Sequence, residues 1–95
     1  MGNLISFMKE VADGLRESGN FGTAHIYRSS LSAILAFHGS DKLPFRKVSQ
    51  EFLKSFESYL RGRNCSWNTV STYMRTLRAV YNRAVDRHLA PYVPH

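Results

Sequence analysis

Apolar side chains recur every three or four residues in four separate stretches of this chain, and no stretch alternates polar with apolar as a half-buried strand would. That period confines the fold to helices. From about Leu4 to Glu17, Leu4, Phe7/Met8, Val11/Ala12 and Leu15 share one face, with Lys9, Glu10, Asp13 and Arg16 opposite and Asn3 placed to cap the start. The run Ser18-Gly19-Asn20-Phe21-Gly22 has the composition of a turn. A second helix is expected from about Thr23 to His38, burying Tyr27, Leu31, Ile34/Leu35 and His38, with Gly39 just past its end. Gly39 to Val48 reads as a loop that Leu43-Pro44-Phe45 pins to the core. Ser49 then opens a third helix to about Arg63, with Phe52/Leu53, Phe56 and Tyr59/Leu60 inward and Glu51 and Glu57 in water. Ser66 caps the fourth and longest, to about Leu89, whose buried stripe is Val70, Tyr73/Met74, Leu77, Val80/Tyr81 and Ala84. Pro91 and Pro94 stop helical structure. A length of 95 residues supports one core. The expected architecture is all-α, a compact four-helix bundle-like domain over residues 1–90, with 91–95 beginning a linker.

Little in the sequence points to catalysis. A single cysteine, Cys65, excludes an internal disulfide and a Cys-based zinc cluster. The histidines, His25, His38, His88 and His95, form no i, i+4 pair and have no acid or thiol at ligand spacing. His38 and His88 fall near expected buried faces. The acids lie singly on helix faces, and Gly19-Asn20-Phe21-Gly22 lacks the spacing and following lysine of a phosphate loop. Four of the five tyrosines sit in apolar stripes. No cofactor, metal or active site is expected. No apolar run nears the roughly 18–20 residues of a membrane span, and the N-terminus lacks the pattern of a signal peptide. These features read as a soluble cytoplasmic protein.

Charge is the informative property. The net charge is +6 and the isoelectric point about 9.9, which favours a polyanionic partner. Residues 1–60 carry seven basic and six acidic side chains, whereas residues 61–95 carry six arginines and one acid, Asp86. Four of those arginines, Arg75, Arg78, Arg83 and Arg87, recur at spacings of three to five along one side of the fourth helix. The start of that helix offers Ser66, Asn68, Thr69 and Thr72 beside its unpaired N–H groups. Such side chains contact phosphates or base edges; the alternative is a solvated amphipathic face. Four arginine–phosphate contacts would give a salt slope of about −3.6. The second helix has an outer face of His25, Ser29, Ser32, Ala33 and Ala36, small enough for close approach to a groove or to another helix.

Four segments in order resemble the N-terminal core-binding, SAM-like domain of tyrosine recombinases (the phage integrase family), in the form found in Bacteroides-type integrases. They are Gly19-Asn20-Phe21-Gly22-Thr23-Ala24-His25-Ile26-Tyr27-Arg28; Leu43-Pro44-Phe45; Ser49-x-x-Phe52-Leu53-x-x-Phe56-x-x-Tyr59-Leu60; and the run from Ser66-Trp67-Asn68-Thr69 to Ala84. The resemblance implies a domain that clamps one face of double-stranded recombination-site DNA in bacterial DNA integration, with the second and fourth helices against the duplex. The DNA-binding residues it implies are Thr23, His25, Arg28, Ser29, Ser66, Asn68, Thr69, Thr72, Arg75 and Arg78. It further implies a separate C-terminal catalytic domain holding all the catalytic groups, so that this part is itself non-catalytic, and other recombinase protomers as partners. The sequence departs from the family at Trp67, where proline is usual. Trp67 could pack on the second helix or lie against a sugar–phosphate edge. The alternative function is a helical protein–protein interaction module.

Overall fold

The computed structural model describes residues 2–92 and contains four α-helices and one short 3-10 turn: α1 (Leu4–Glu17), α2 (Phe21–His38), the 3-10 turn (Phe45–Lys47), α3 (Gln50–Gly62) and α4 (Trp67–Asp86). Among the described residues there is no strand, only an isolated antiparallel bridge between Asn3 and Pro44. The all-α architecture expected from the periodicity is the one observed. Met1, Val93, Pro94 and His95 lie outside the described residues, and with them much of the expected linker.

Each helix start has a physical cause legible in the sequence except one. Asn3 accepts from the Ile5 N–H, Ser49 from the Phe52 N–H and Ser66 from the Thr69 N–H, each satisfying a donor that a helix leaves without an internal partner. α2 is the exception. It begins at Phe21, two residues before the expected Thr23, and Asn20 makes no side-chain cap bond. The turn contracts to Ser18–Asn20, where the Asn20 N–H donates to the Leu15 carbonyl and the Ala24 N–H to the Asn20 carbonyl. α2 ends as expected, with Gly39 at φ 78° in the left-handed region that glycine tolerates. α4 ends at Asp86, short of the expected Leu89 and well before Pro91. His88 adopts φ 60°, and the Leu89 N–H returns to the Ala84 carbonyl. His88 is accordingly exposed, not near a buried face as expected, while His38 is half-buried with Nε2 2.8 Å from the Lys42 carbonyl.

The core joins all four helices: Leu4, Met8, Ile34, Phe56, Leu60, Val70, Leu77 and Val80 are fully or almost fully buried. The loop before α3 is pinned as expected, with Leu43 and Phe45 buried and the Phe45 ring edge-on to Phe7 at 6.0 Å and to Tyr81 at 6.2 Å. Gly2 allows this approach: a Cβ there would come within 2.9 Å of the Phe45 ring and 3.2 Å of the Leu89 carbonyl. Tyr81 donates to the Pro91 carbonyl at 2.8 Å, and burial pushes its phenol above the ordinary tyrosine range. Glu57, expected in water, is half-buried and accepts from Arg61 at 2.9 Å.

Candidate nucleic-acid interface

α4 is built to face inward and outward at once. Val70, Met74, Leu77, Val80 and Ala84 fill the core, leaving Asn68, Thr72, Arg75, Ala79 and Asn82, spaced four and three apart, along the opposite face. The outward ridge has an open groove on each side.

On the α2 side the groove is lined by His25, Ile26 and Ser29 from α2 and by Asn68, Thr69, Thr72 and Tyr73 from α4. Five of the ten residues expected to meet DNA, His25, Ser29, Asn68, Thr69 and Thr72, therefore converge on one concavity. They come from the N-terminal halves of both helices, with Asn68 and Thr69 in the first turn of α4 and Ser29 two turns into α2. No lysine, arginine or carboxylate lines it. The Ser66 hydroxyl lies at its edge, accepting from the Thr69 N–H at 3.1 Å and donating to Thr69 Oγ1 at 2.9 Å. Cap formation thus fixes the Thr69 side chain and leaves its own hydroxyl hydrogen to point elsewhere.

On the α3 side the groove is lined by Trp67, Val70, Ser71, Met74, Arg75 and Arg78 with Glu57 across from them. Trp67 is 70% exposed; its neighbour is the Arg61 guanidinium of α3, 4.9 Å from the ring centroid, so of the two options the packing on α2 is not formed. Arg75 and Arg78 make no ion pair or hydrogen bond among the described residues, whereas Arg61 is paired with Glu57 and Arg28 with Asp13.

The structure separates the remaining expected residues. Thr23 is exposed in the first turn of α2, outside both grooves. Arg28 is engaged by the Asp13 carboxylate and lines a depression against α1 with Arg16, Glu17 and Phe21. The four arginines expected along one side of α4 divide into two pairs. Arg75 and Arg78 flank α3, while Arg83 and Arg87 line a cleft with Glu10, Val11, Gly14 and Leu15 of α1, where Arg87 stacks 5.4 Å from the Phe7 ring centroid. Spacings of three and five rotate a helical side chain to opposite edges of a face, which a linear reading merges.

Two groove residues were not expected there. Ile26 is 40% exposed beside His25, and Tyr73, assigned to the core, is half-buried and reaches the groove wall. Ile26 carries a sequence signal, since it lies off the Tyr27–Leu31–Ile34 stripe of its own helix. Among the described residues no three His, Cys, Asp or Glu side chains gather as a metal site would require, and no helix is long and apolar enough to cross a membrane.

The family model described as the phage integrase SAM-like domain matches residues 3–94. No curated protein and no solved structure matches the chain.

Proposed function

The chain belongs to the phage integrase SAM-like domain family, and from that membership together with the groove between α2 and α4 we propose that it is the DNA-binding, core-binding domain of a site-specific tyrosine recombinase. In this reading it lies against one face of a recombination-site duplex and has no catalytic role of its own. Strand breakage and rejoining belong to a C-terminal catalytic domain of the full-length protein, acting in the bacterial cytoplasm at the nucleoid.

The observation that carries the reading is the convergence of His25, Ser29, Asn68, Thr69 and Thr72 on one open concavity beside the unpaired Arg75. Hydroxyl, amide and imidazole groups form hydrogen bonds with phosphate oxygens and base edges, and the first turn of α4, which brings Asn68 and Thr69 to the groove, favours a phosphate there. Arg75 and Arg78, with no acidic partner to displace, are available to neutralise phosphates at no cost in broken ion pairs. Arg28 enters the same role only by releasing Asp13, a surface pair of the kind worth about 0–1 kcal/mol.

A second role within the same assembly is favoured by Phe21, which is 65% exposed at the start of α2. With the exposed Ser32 and Ala36 further along, it suits contact with a neighbouring recombinase protomer.

The test is an amide-shift titration of the labelled chain with a short mixed-sequence duplex at low and then moderate salt. Shifts should gather at 25–29 and 66–78 and fade as salt rises. Shifts confined to α1 and the far end of α2, or their complete absence at low salt, would overturn the duplex reading.

A further inference from the structure

Trp67 is the sole tryptophan of the chain and its most prominent exposed side chain on α4, yet the duplex groove does not use it. It opens the other groove, against α3, and three features there act together. The indole ring is oriented, not loose: the Arg61 guanidinium lies 4.9 Å from its centroid and is itself held by Glu57 at 2.9 Å. The rest of the ring is in solvent. Further along the same flank Arg75 and Arg78 have no acidic partner among the described residues. At a rise of about 1.5 Å per residue, they lie about 12 Å and 16 Å along α4 from Trp67.

An aromatic platform followed by a row of cations is the requirement of an unpaired nucleic acid strand. Bases stack on the ring while the backbone follows the positive charge. A protein partner suits the groove less well. Val70 and Met74, the other apolar residues lining it, are only 1% and 5% exposed, so Trp67 stands alone instead of belonging to the contiguous apolar patch of a protein interface. A duplex keeps its bases stacked on one another and offers the ring no free π-face within the helix.

We propose that the groove between α3 and α4 binds single-stranded DNA, one unpaired base stacking on the open face of Trp67 opposite Arg61 and the following phosphates meeting Arg75 and Arg78. The inference deepens the duplex reading by adding a second form of DNA. It rests on that reading only for the two arginines that both surfaces share.

Because Trp67 is the only tryptophan, the emission of the 95-residue chain reports on this ring alone. A mixed-sequence single strand of about ten nucleotides should quench it saturably. An abasic deoxyribose–phosphate strand of equal charge and a blunt duplex should leave it nearly unchanged. By anisotropy of labelled DNA, Trp67→Ala should weaken single-strand binding by at least about fivefold and leave duplex binding within about twofold, with Trp67→Phe in between. The ring is exposed, so these variants keep the core. Equal quenching by the abasic strand, or single-strand binding unaltered by Trp67→Ala, would overturn the proposal. A concentration-dependent blue shift without DNA would also overturn it, assigning the ring to contact between copies of the chain. Failure of the duplex reading is recorded separately, as duplex affinity that Asn68→Ala/Thr72→Ala does not change.

Discussion

On its α2 side, α4 presents Asn68, Thr69, Thr72 and Tyr73 opposite His25, Ile26 and Ser29, a surface of hydrogen-bonding groups lined by no lysine, arginine or carboxylate. On its α3 side the same helix presents Trp67, Arg75 and Arg78, with Glu57 already committed to Arg61. One wall thus serves two unlike grooves. In the proposed reading, the contrast divides the work of binding DNA. Charge attracts any phosphate backbone from a distance and responds steeply to salt, whereas neutral hydrogen-bonding groups contribute only at contact and can discriminate among bases. If the α2-side groove meets bases, its lack of lysine, arginine and carboxylate side chains removes the charge that would hold every sequence equally well.

The most severe way to break the comparison is to remove the wall. Leu77 is 0% exposed on the inner face of α4, and Leu77→Ala should cost about 2–5 kcal/mol in denaturant unfolding. Both grooves should be lost in one transition. A variant that kept one groove's DNA affinity while losing the other's would show that they are structurally independent.

The next effect sharpens the electrostatic side. If only Arg75 and Arg78 engage phosphates, log K for a duplex should fall against log salt with a slope of about −1.8, at roughly −0.9 per phosphate contact. Arg75→Ala/Arg78→Ala should flatten that slope almost completely, while Arg83→Ala/Arg87→Ala should leave it unchanged. A wild-type slope near −3.6, lowered equally by either pair, would mean that the duplex covers both flanks of α4 and engages all four arginines. A smaller effect lies at the start of the shared wall. Ser66→Ala removes the cap bonded to the Thr69 N–H and should cost about 1 kcal/mol of stability, measured by thermal unfolding.

How much of this was legible before the structure depends on the distance over which each feature is set. The caps at Asn3, Ser49 and Ser66, the inward stripes and the pinning of Leu43 and Phe45 are dictated by residues within a turn or two, and the sequence carries them. The start of α2 was misplaced because Gly22 reads as a turn residue, yet the turn closes earlier through backbone bonds of Asn20 to both neighbouring helices. The end of α4 was overextended because Pro91 looked like the stop. The chain leaves the helix at His88 instead, in a left-handed conformation that nothing in its local composition announces. Five groove residues were named in advance. Their assembly into a concavity depends on how α2 lies against α4, and the diversion of Arg28 to Asp13 on the packing of α1, neither of which is written in any single helix.

The smallest effect is the most diagnostic of the neutral groove. Thr72 sits on the ridge beside it; its carbonyl already accepts from the Thr76 hydroxyl at 2.8 Å, but among the described residues its own hydroxyl makes no hydrogen bond. Thr72→Val keeps the shape and removes only that group. If the hydroxyl meets DNA, duplex affinity should fall by about 0.5–1.5 kcal/mol, the net worth of one hydrogen bond. No phosphate charge is neutralised by a hydroxyl, so the salt slope should not move. Stability should hold or rise slightly, because at this half-buried position a hydroxyl with no partner among the described residues is exchanged for a methyl. Both outcomes are read from one set of titrations at several salt concentrations. Lost affinity with an unchanged slope places the hydroxyl at contact; lost affinity with a flattened slope would instead show that the substitution had shifted Arg75, one turn away, and that the two grooves are coupled through the ridge between them.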